Sequence, residues 1–214
     1  MFLLGRVYNG YMAWDEYIGL VDMSALRTVP ALKGMSQASV YRAAGISMSH
    51  WGNMIHGRFI PPTETVAKIC AALQCSVDEI IKFNGIEVKD TFKKIDPFVE
   101  HTPDTTGTYA VSYEPLRNLI MSHYGNRMYR QKMDELLQKI PLVGGTEKQK
   151  ANMELRQEVR RKEIAERGTT GTGIPPKVRS MMLRFKTDKP INMRYVYNLC
   201  KVLGCTPAWI MTYR

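Results

Sequence analysis

The chain has no unbroken apolar run of about 18 residues, so a membrane-spanning helix is not expected. Cysteine is scarce, with four in 214 residues and no Cys-x-x-Cys pair. That argues against a zinc knuckle, and against a disulfide framework in a chain of this length. No nucleotide fingerprint is present, because the run Gly168 to Gly173, GTTGTG, has neither the lysine nor the strand context of a phosphate loop. The histidines at 50, 56, 101 and 123 do not neighbour a Ser or Cys nucleophile or a carboxylate pair in sequence. No catalytic residue is assigned, and no enzyme, cofactor, metal or small-molecule ligand is expected. The start, MFLLGRVYNGYMAWDEY, has too short an apolar run and acids too early (Asp15, Glu16) for a signal peptide. A reducing, cytoplasmic location is the expectation.

Acidic residues are also few: 20 against 30 Lys and Arg, giving a net charge of +10 and a pI near 9.5. The imbalance is not uniform. Residues 1–100 carry ten basic and ten acidic side chains, so the whole excess lies in residues 101–214. An anionic partner fits this balance, and sequence-independent grip on phosphate is expected mainly from the second half.

What is present is a repeat. VAKICAALQCSVDEII (Val66–Ile81) and VYNLCKVLGCTPAWIM (Val196–Met211) align without a gap at an offset of 130. Val66/Val196, Cys70/Cys200, Leu73/Leu203, Cys75/Cys205 and Ile80/Ile210 are identical. Each copy reads as an amphipathic helix, a turn and a second short helix. Ser76-Val-Asp-Glu79 is a capping box, and Thr206-Pro207 sets an N-cap before proline. Two copies of one module is the inference. The cysteines, five apart at the end of an apolar helix, read as small buried hydrophobes. Between the copies, Pro97, Pro103, Gly107 and TPDTTGT read as a linker over 87–111.

Ahead of and through the first copy, the chain predicts short helices with N-caps at Ser36, Ser47, Thr63 and Ser76, and tight turns at Gly45 and Gly57. The ordered pattern Ser36-Gln37, Val40, Ala44, Gly45, Ile46, Ser47, Trp51, Met54, Gly57 and Pro61 resembles the Cro/CI-type (lambda-repressor-like, XRE) helix-turn-helix domain. The resemblance covers about Met23 to Phe83. It implies that the helix from Ser47 lies in a major groove with Met48, Ser49, His50 and Asn53 toward base edges. It also implies that Gln37 touches backbone or the first base, and that Arg58 meets phosphate. The chemistry agrees: Asn binds adenine bidentately, Ser and His donate or accept, and Met packs on a thymine methyl. Two departures stand out. Tyr41 occupies a position that is small in the family; either Gly52 makes room for its ring or the ring opens the angle between the two helices. Pro30 should shorten or kink the first helix.

In the second half, EIAERG (Glu163–Gly168) and TGIPPKVRSMMLRF (Thr172–Phe185) again look like helix, turn, helix, with a longer turn. Lys177, Arg179, Arg184, Lys186, Lys189 and Arg194 surround this second candidate reading helix as phosphate contacts. The basic stretch Lys148–Arg167 is accompanied by five glutamates, at 147, 154, 158, 163 and 166, and reads as a solvated helix face. Tyr113–Tyr124 and Arg127–Ile140 are two further amphipathic helices with stripes at Leu116, Leu119, Ile120 and Met133, Leu136, Leu137.

The expected fold is all-α: two lambda-repressor-like helix-turn-helix domains in tandem. The expected division is an N-terminal helical extension at 1–22, a first domain at 23–86, the linker, and a divergent second domain at 112–214. The stripe Val7, Tyr11, Trp14, Tyr17 and Ile18 would pack on its own domain or pair two chains into a homodimer. The expected partner is double-stranded DNA, and the expected role is a sequence-specific transcriptional repressor of phage or mobile-element type. A protein-interaction adaptor, such as an antitoxin or anti-defence factor, is the rival. RNA binding is a third reading, without an aromatic sheet platform to support it.

Overall fold

The structure is a computed structural model. It describes residues 19–93, 110–140, 158 and 176–214, with the side chains of 93, 123, 124, 126–128, 130, 138 and 176–179 outside that description. The expected stripe at 7–18, the charged helix at 148–167, the turn around 168–173 and the middle of the expected linker fall outside it.

The described chain is mostly helical. Strand β1 (Val21–Asp22) leads into a 3-10 turn (Ser24–Arg27) and then α1 (Val29–Leu32). Pro30 is in the first turn of α1, where its missing N–H costs nothing. The first helix is accordingly two short pieces rather than one. Helices α2 (Gln37–Ala43) and α3 (Met48–Ile55) follow, each opened by a serine whose hydroxyl accepts a backbone N–H three residues on: Ser36 from Ser39, Ser47 from His50. Gly45, at φ +65°, makes the turn between them.

Helix α4 (Thr63–Leu73) is apolar on almost every side, with Val66, Ala67, Ile69, Cys70, Ala71 and Leu73 all buried, so it becomes the central helix. Its N-cap is Pro62, not Thr63 as the sequence predicts. The Thr63 hydroxyl is drawn inward instead, because buried partners await it there: it shares a 2.8 Å bond with the Tyr113 hydroxyl and accepts the Ile191 N–H at 3.0 Å. Helix α5 (Val77–Ile80) starts on the expected capping box of Ser76 and Glu79. The chain then leaves into β2 (Lys82–Phe83), which pairs antiparallel with β1, Val21 opposite Phe83 and Asp22 opposite Lys82.

The stretch expected as linker begins with structure. Helix α6 (Asp90–Lys93) packs Phe92 edge-on against Trp209, and the Lys89 N–H bonds to the Gly204 carbonyl. At its far end Val111 belongs to β3 (Val111–Ser112). Helix α7 (Glu114–Gln138) holds the two expected helices joined across Gly125, whose φ of 73° and ψ of 161° break the helix there. Leu116, Leu119, Ile120, Met133, Leu136 and Leu137 are all buried. Helices α8 (Pro176–Lys186) and α9 (Met193–Leu203), a 3-10 turn (Pro207–Trp209) and β4 (Thr212–Tyr213) complete the fold. β4 pairs antiparallel with β3, Val111 opposite Tyr213. The sequence predicted no strands; these two-residue pairings tie the start of each half to its end.

The two halves share one continuous core rather than hanging from a tether. Cys70, Cys75, Cys200 and Cys205 lie within it as free thiols. Burial pushes the Cys70 and Cys200 thiols well above the usual range, which keeps them protonated and inert. Among the described residues no cluster of His, Cys, Asp or Glu fits a metal ion, and no helix is long and apolar enough to cross a membrane.

Candidate nucleic-acid interface

Helix α3 is held by its apolar side and presents the opposite one. Trp51 and Met54 are buried and Ile55 half-buried, while Met48 is 72% exposed, Ser49 and His50 are exposed, and Asn53 is half-exposed. Truncating side chains such as Trp51 or Met54 costs about 2–5 kcal/mol, which is the scale of the force seating the helix. Among the described residues no side-chain hydrogen bond engages Ser49 or Asn53. His50 is more committed: its Nδ1 lies 3.2 Å from the Ser47 hydroxyl, and its ring stacks 5.4 Å from Phe59.

Gln37 sits differently from the groove contact implied by the sequence. Its Oε1 accepts the buried Trp51 indole N–H at 3.0 Å, and its Nε2 donates to the Arg27 carbonyl at 3.1 Å. The amide thus ties α2 to both α3 and the 3-10 turn, and fixes the angle at which α3 is offered. Tandem sequence patterns do not reveal such a link, because it needs the distance between residues fourteen positions apart. Tyr41 is half-buried with its ring 6.2 Å from that of Trp51, and its carbonyl accepts the Ile46 N–H. Gly52 does not make room for it: a Cβ built at Gly52 meets nothing within 4 Å. The tyrosine is accommodated at the rim of the helix pair instead.

Past α3, Gly57 at φ +65° lets the Arg58 N–H return to the Asn53 carbonyl, leaving the Arg58 side chain exposed. The same exit recurs after α8. Asp188, at φ +51°, precedes Lys189, whose N–H returns to the Arg184 carbonyl. The Asp188 side chain is 5% exposed and collects four donors: the Tyr113 N–H, both Arg117 Nη atoms (2.6 and 3.3 Å) and Arg214 Nη1 (3.2 Å). This carboxylate fastens the end of α8 to the start of α7. Nothing in the local sequence singled it out, since its partners are about 70 positions upstream or at the last residue.

Of the basic residues expected around α8, Arg184, Lys186 and Lys189 are exposed. Arg184 gives one Nη to the Pro190 carbonyl at 2.7 Å. Lys177 and Arg179 have side chains outside the described ones. Arg194 is not available as a phosphate contact: it is 3% exposed, in the first turn of the buried helix α9, and its N–H is capped by Asn192. Its charge made it look like a surface residue, but the 3.6-residue period of α9 turns it inward.

Comparison with known proteins gives one match. Residues 25–85 match the family model of the Cro/C1-type helix-turn-helix DNA-binding domain. No curated protein and no solved structure matches the chain. The matched residues run from the 3-10 turn to just past β2 and include α2, α3 and the Gln37–Trp51 bond. A helix-turn-helix unit of this type implies DNA binding for that part of the chain.

Proposed function

We propose that the protein is a sequence-specific double-stranded DNA-binding regulator that represses transcription by occupying a promoter, in the manner of phage and mobile-element repressors. The observation that carries this reading is the open face of α3. Met48, Ser49 and Asn53 project from a helix seated by Trp51 and Met54, within the residues that match the family. Asn53 is the residue chosen for bidentate contact with adenine, and Met48 for apolar contact with thymine. Arg58, Lys186 and Lys189 supply phosphate contacts that set affinity without sequence preference. The protein would work in the compartment that holds the DNA, the cytoplasm of a bacterial host.

The test separates these roles. Asn53→Ala should abolish the preference for a selected duplex over random DNA, whereas Arg58→Ala should weaken both and lower the salt slope by about one. Equal loss on both duplexes for Asn53→Ala would refute the assignment of α3. The neutral first half and the 81%-exposed Leu32 beside it favour a second reading, an adaptor that covers a protein partner. Binding of random duplex that does not weaken steeply with salt would support that reading instead.

A further inference from the structure

The two halves are related by a rotation, not by simple repetition. Helices α4 and α9 each span eleven residues and lie 130 positions apart, as do β2 and β4. Equivalent positions of the two halves touch at two separate places. Pro62 bridges Asn192, its counterpart, in antiparallel sense. The Asp78 carboxylate accepts the N–H of Ala208, again its counterpart, where α5 packs on the second 3-10 turn. A side-by-side tandem displaces every equivalent pair by the same vector and keeps them parallel. Equivalent residues meeting at two points, with strands running in opposite directions, require a two-fold axis passing between them.

The likeness extends to the candidate reading helices. Gly57 and Asp188 share the left-handed exit, and aligning them places Phe185 on Met54, both buried, and Arg184 on Asn53. An open groove at the axis is lined by Pro62 from one half and by Ser180, Met181 and Arg184 of α8 from the other. From Ile55 to Pro62 is seven residues and from Lys186 to Asn192 is six. The Arg58 N–H bond to the Asn53 carbonyl and the Lys189 N–H bond to the Arg184 carbonyl fold the starts of both segments back, so only Arg58 to Pro62 and Lys189 to Asn192 can extend. At about 3.6 Å per residue these reach about 14 and 11 Å, which with the two hydrogen bonds and the Pro62–Asn192 bridge puts the Asn53 and Arg184 carbonyls within about 36 Å of one another. The ~34–36 Å between half-sites one DNA turn apart lies at that limit.

We infer that a single chain is a complete two-headed reader: α3 and α8, related by an internal two-fold axis, engage two inverted half-sites on one face of a duplex without a second copy. The inference rests on the DNA-binding reading above and adds its geometry and stoichiometry. Because Arg184 stands where Asn53 stands, the two half-sites are inverted but unequal. One is read by Asn53, suited to adenine, and the other by Arg184, suited to guanine. The shared core makes the spacing rigid, unlike that of two modules on a flexible tether.

The experiment is selection of bound sequences from a random duplex pool with the full chain, followed by native mass spectrometry on the selected duplex. A motif of two inverted blocks about 10 bp apart is expected, bound by one chain per duplex. Inserting 5 bp between the blocks should weaken binding by about 10²-fold, and inserting 10 bp should not restore it, because a rigid pair cannot stretch. Asn53→Ala should relax one block and Arg184→Ala the other. A single block, two chains on one duplex, or recovery at 10 bp would each overturn the inference while leaving the DNA-binding reading intact. Absence of any enriched sequence would overturn the DNA-binding reading itself, and the inference with it.

Discussion

Gln37→Ala is the perturbation that bears most directly on how α3 is offered. It removes an acceptor from the Trp51 indole N–H, in a side chain only 3% exposed, and a donor from the Arg27 carbonyl. A neutral hydrogen bond contributes about 0.5–1.5 kcal/mol, and stranding a buried donor costs about 1–3 kcal/mol. Gln37 is itself half-buried, so water reaches part of the gap and the lower end applies. The expected loss is about 2 kcal/mol. With a urea m-value of about 2–3 kcal/mol/M, the midpoint should fall by about 0.7–1 M. Trp51→Phe removes the same bond from the other side. The double variant should then show a coupling of about 1 kcal/mol, since Gln37→Ala has no indole N–H left to strand. Both single variants should also weaken specific DNA more than random DNA, because they loosen the angle of α3 without touching a base. A coupling below about 0.3 kcal/mol, or a Gln37→Ala protein of unchanged midpoint, would refute the claim that this amide sets the helix angle.

Asp188→Ala should cost about 2–4 kcal/mol by urea unfolding. It strands the Tyr113 N–H and part of Arg117, and puts alanine at φ +51°, whereas the partly exposed arginines recover some hydration. Asp188→Asn keeps the turn and should cost less than half as much; equal losses would mean that charge carries the whole effect. Burial raises the Cys70, Cys200 and Tyr113 groups above their ordinary values of 9.0, 9.0 and 10.0, so the folded protein holds protons there that the unfolded chain releases. Their contribution is complete below these ordinary values and is lost progressively as pH rises above them toward the raised folded values. The urea midpoint should therefore fall between pH 8 and 10.5, and fall less in a Cys70→Ala/Cys200→Ala variant. At neutral pH the thiols of the native protein should resist alkylation until it unfolds.

Local chemistry was readable without coordinates wherever a residue acts on its near neighbours. The Ser36 and Ser47 caps, the Ser76–Glu79 box, the glycine turns at 45 and 57, and the buried side of α3 follow from spacing alone. So did the outward Met48, Ser49 and Asn53, because helical period fixes which side chains share a face. Thr63 and Arg194 were misread for one reason. A hydroxyl and a charge look like a cap and a surface contact in sequence, but both are buried, Thr63 against Tyr113 of the other half and Arg194 on the inward side of α9. Gln37 looked like a DNA contact because it opens α2, although its partner is Trp51.

The amino-acid order by itself determined the serine-capped helix starts, the apolar sides of helices and the offset of the repeat, all of which depend on interactions spanning a few residues or on identity at matched positions. Only the tertiary structure decided that the halves share one core, that Pro62 meets Asn192 and Asp78 meets Ala208, and that Asp188 gathers Arg117 and Arg214. Those pairings join positions 26 to 130 residues apart. A repeat in sequence is compatible with either a translation or a rotation in space, and the choice is made by which buried surfaces fit.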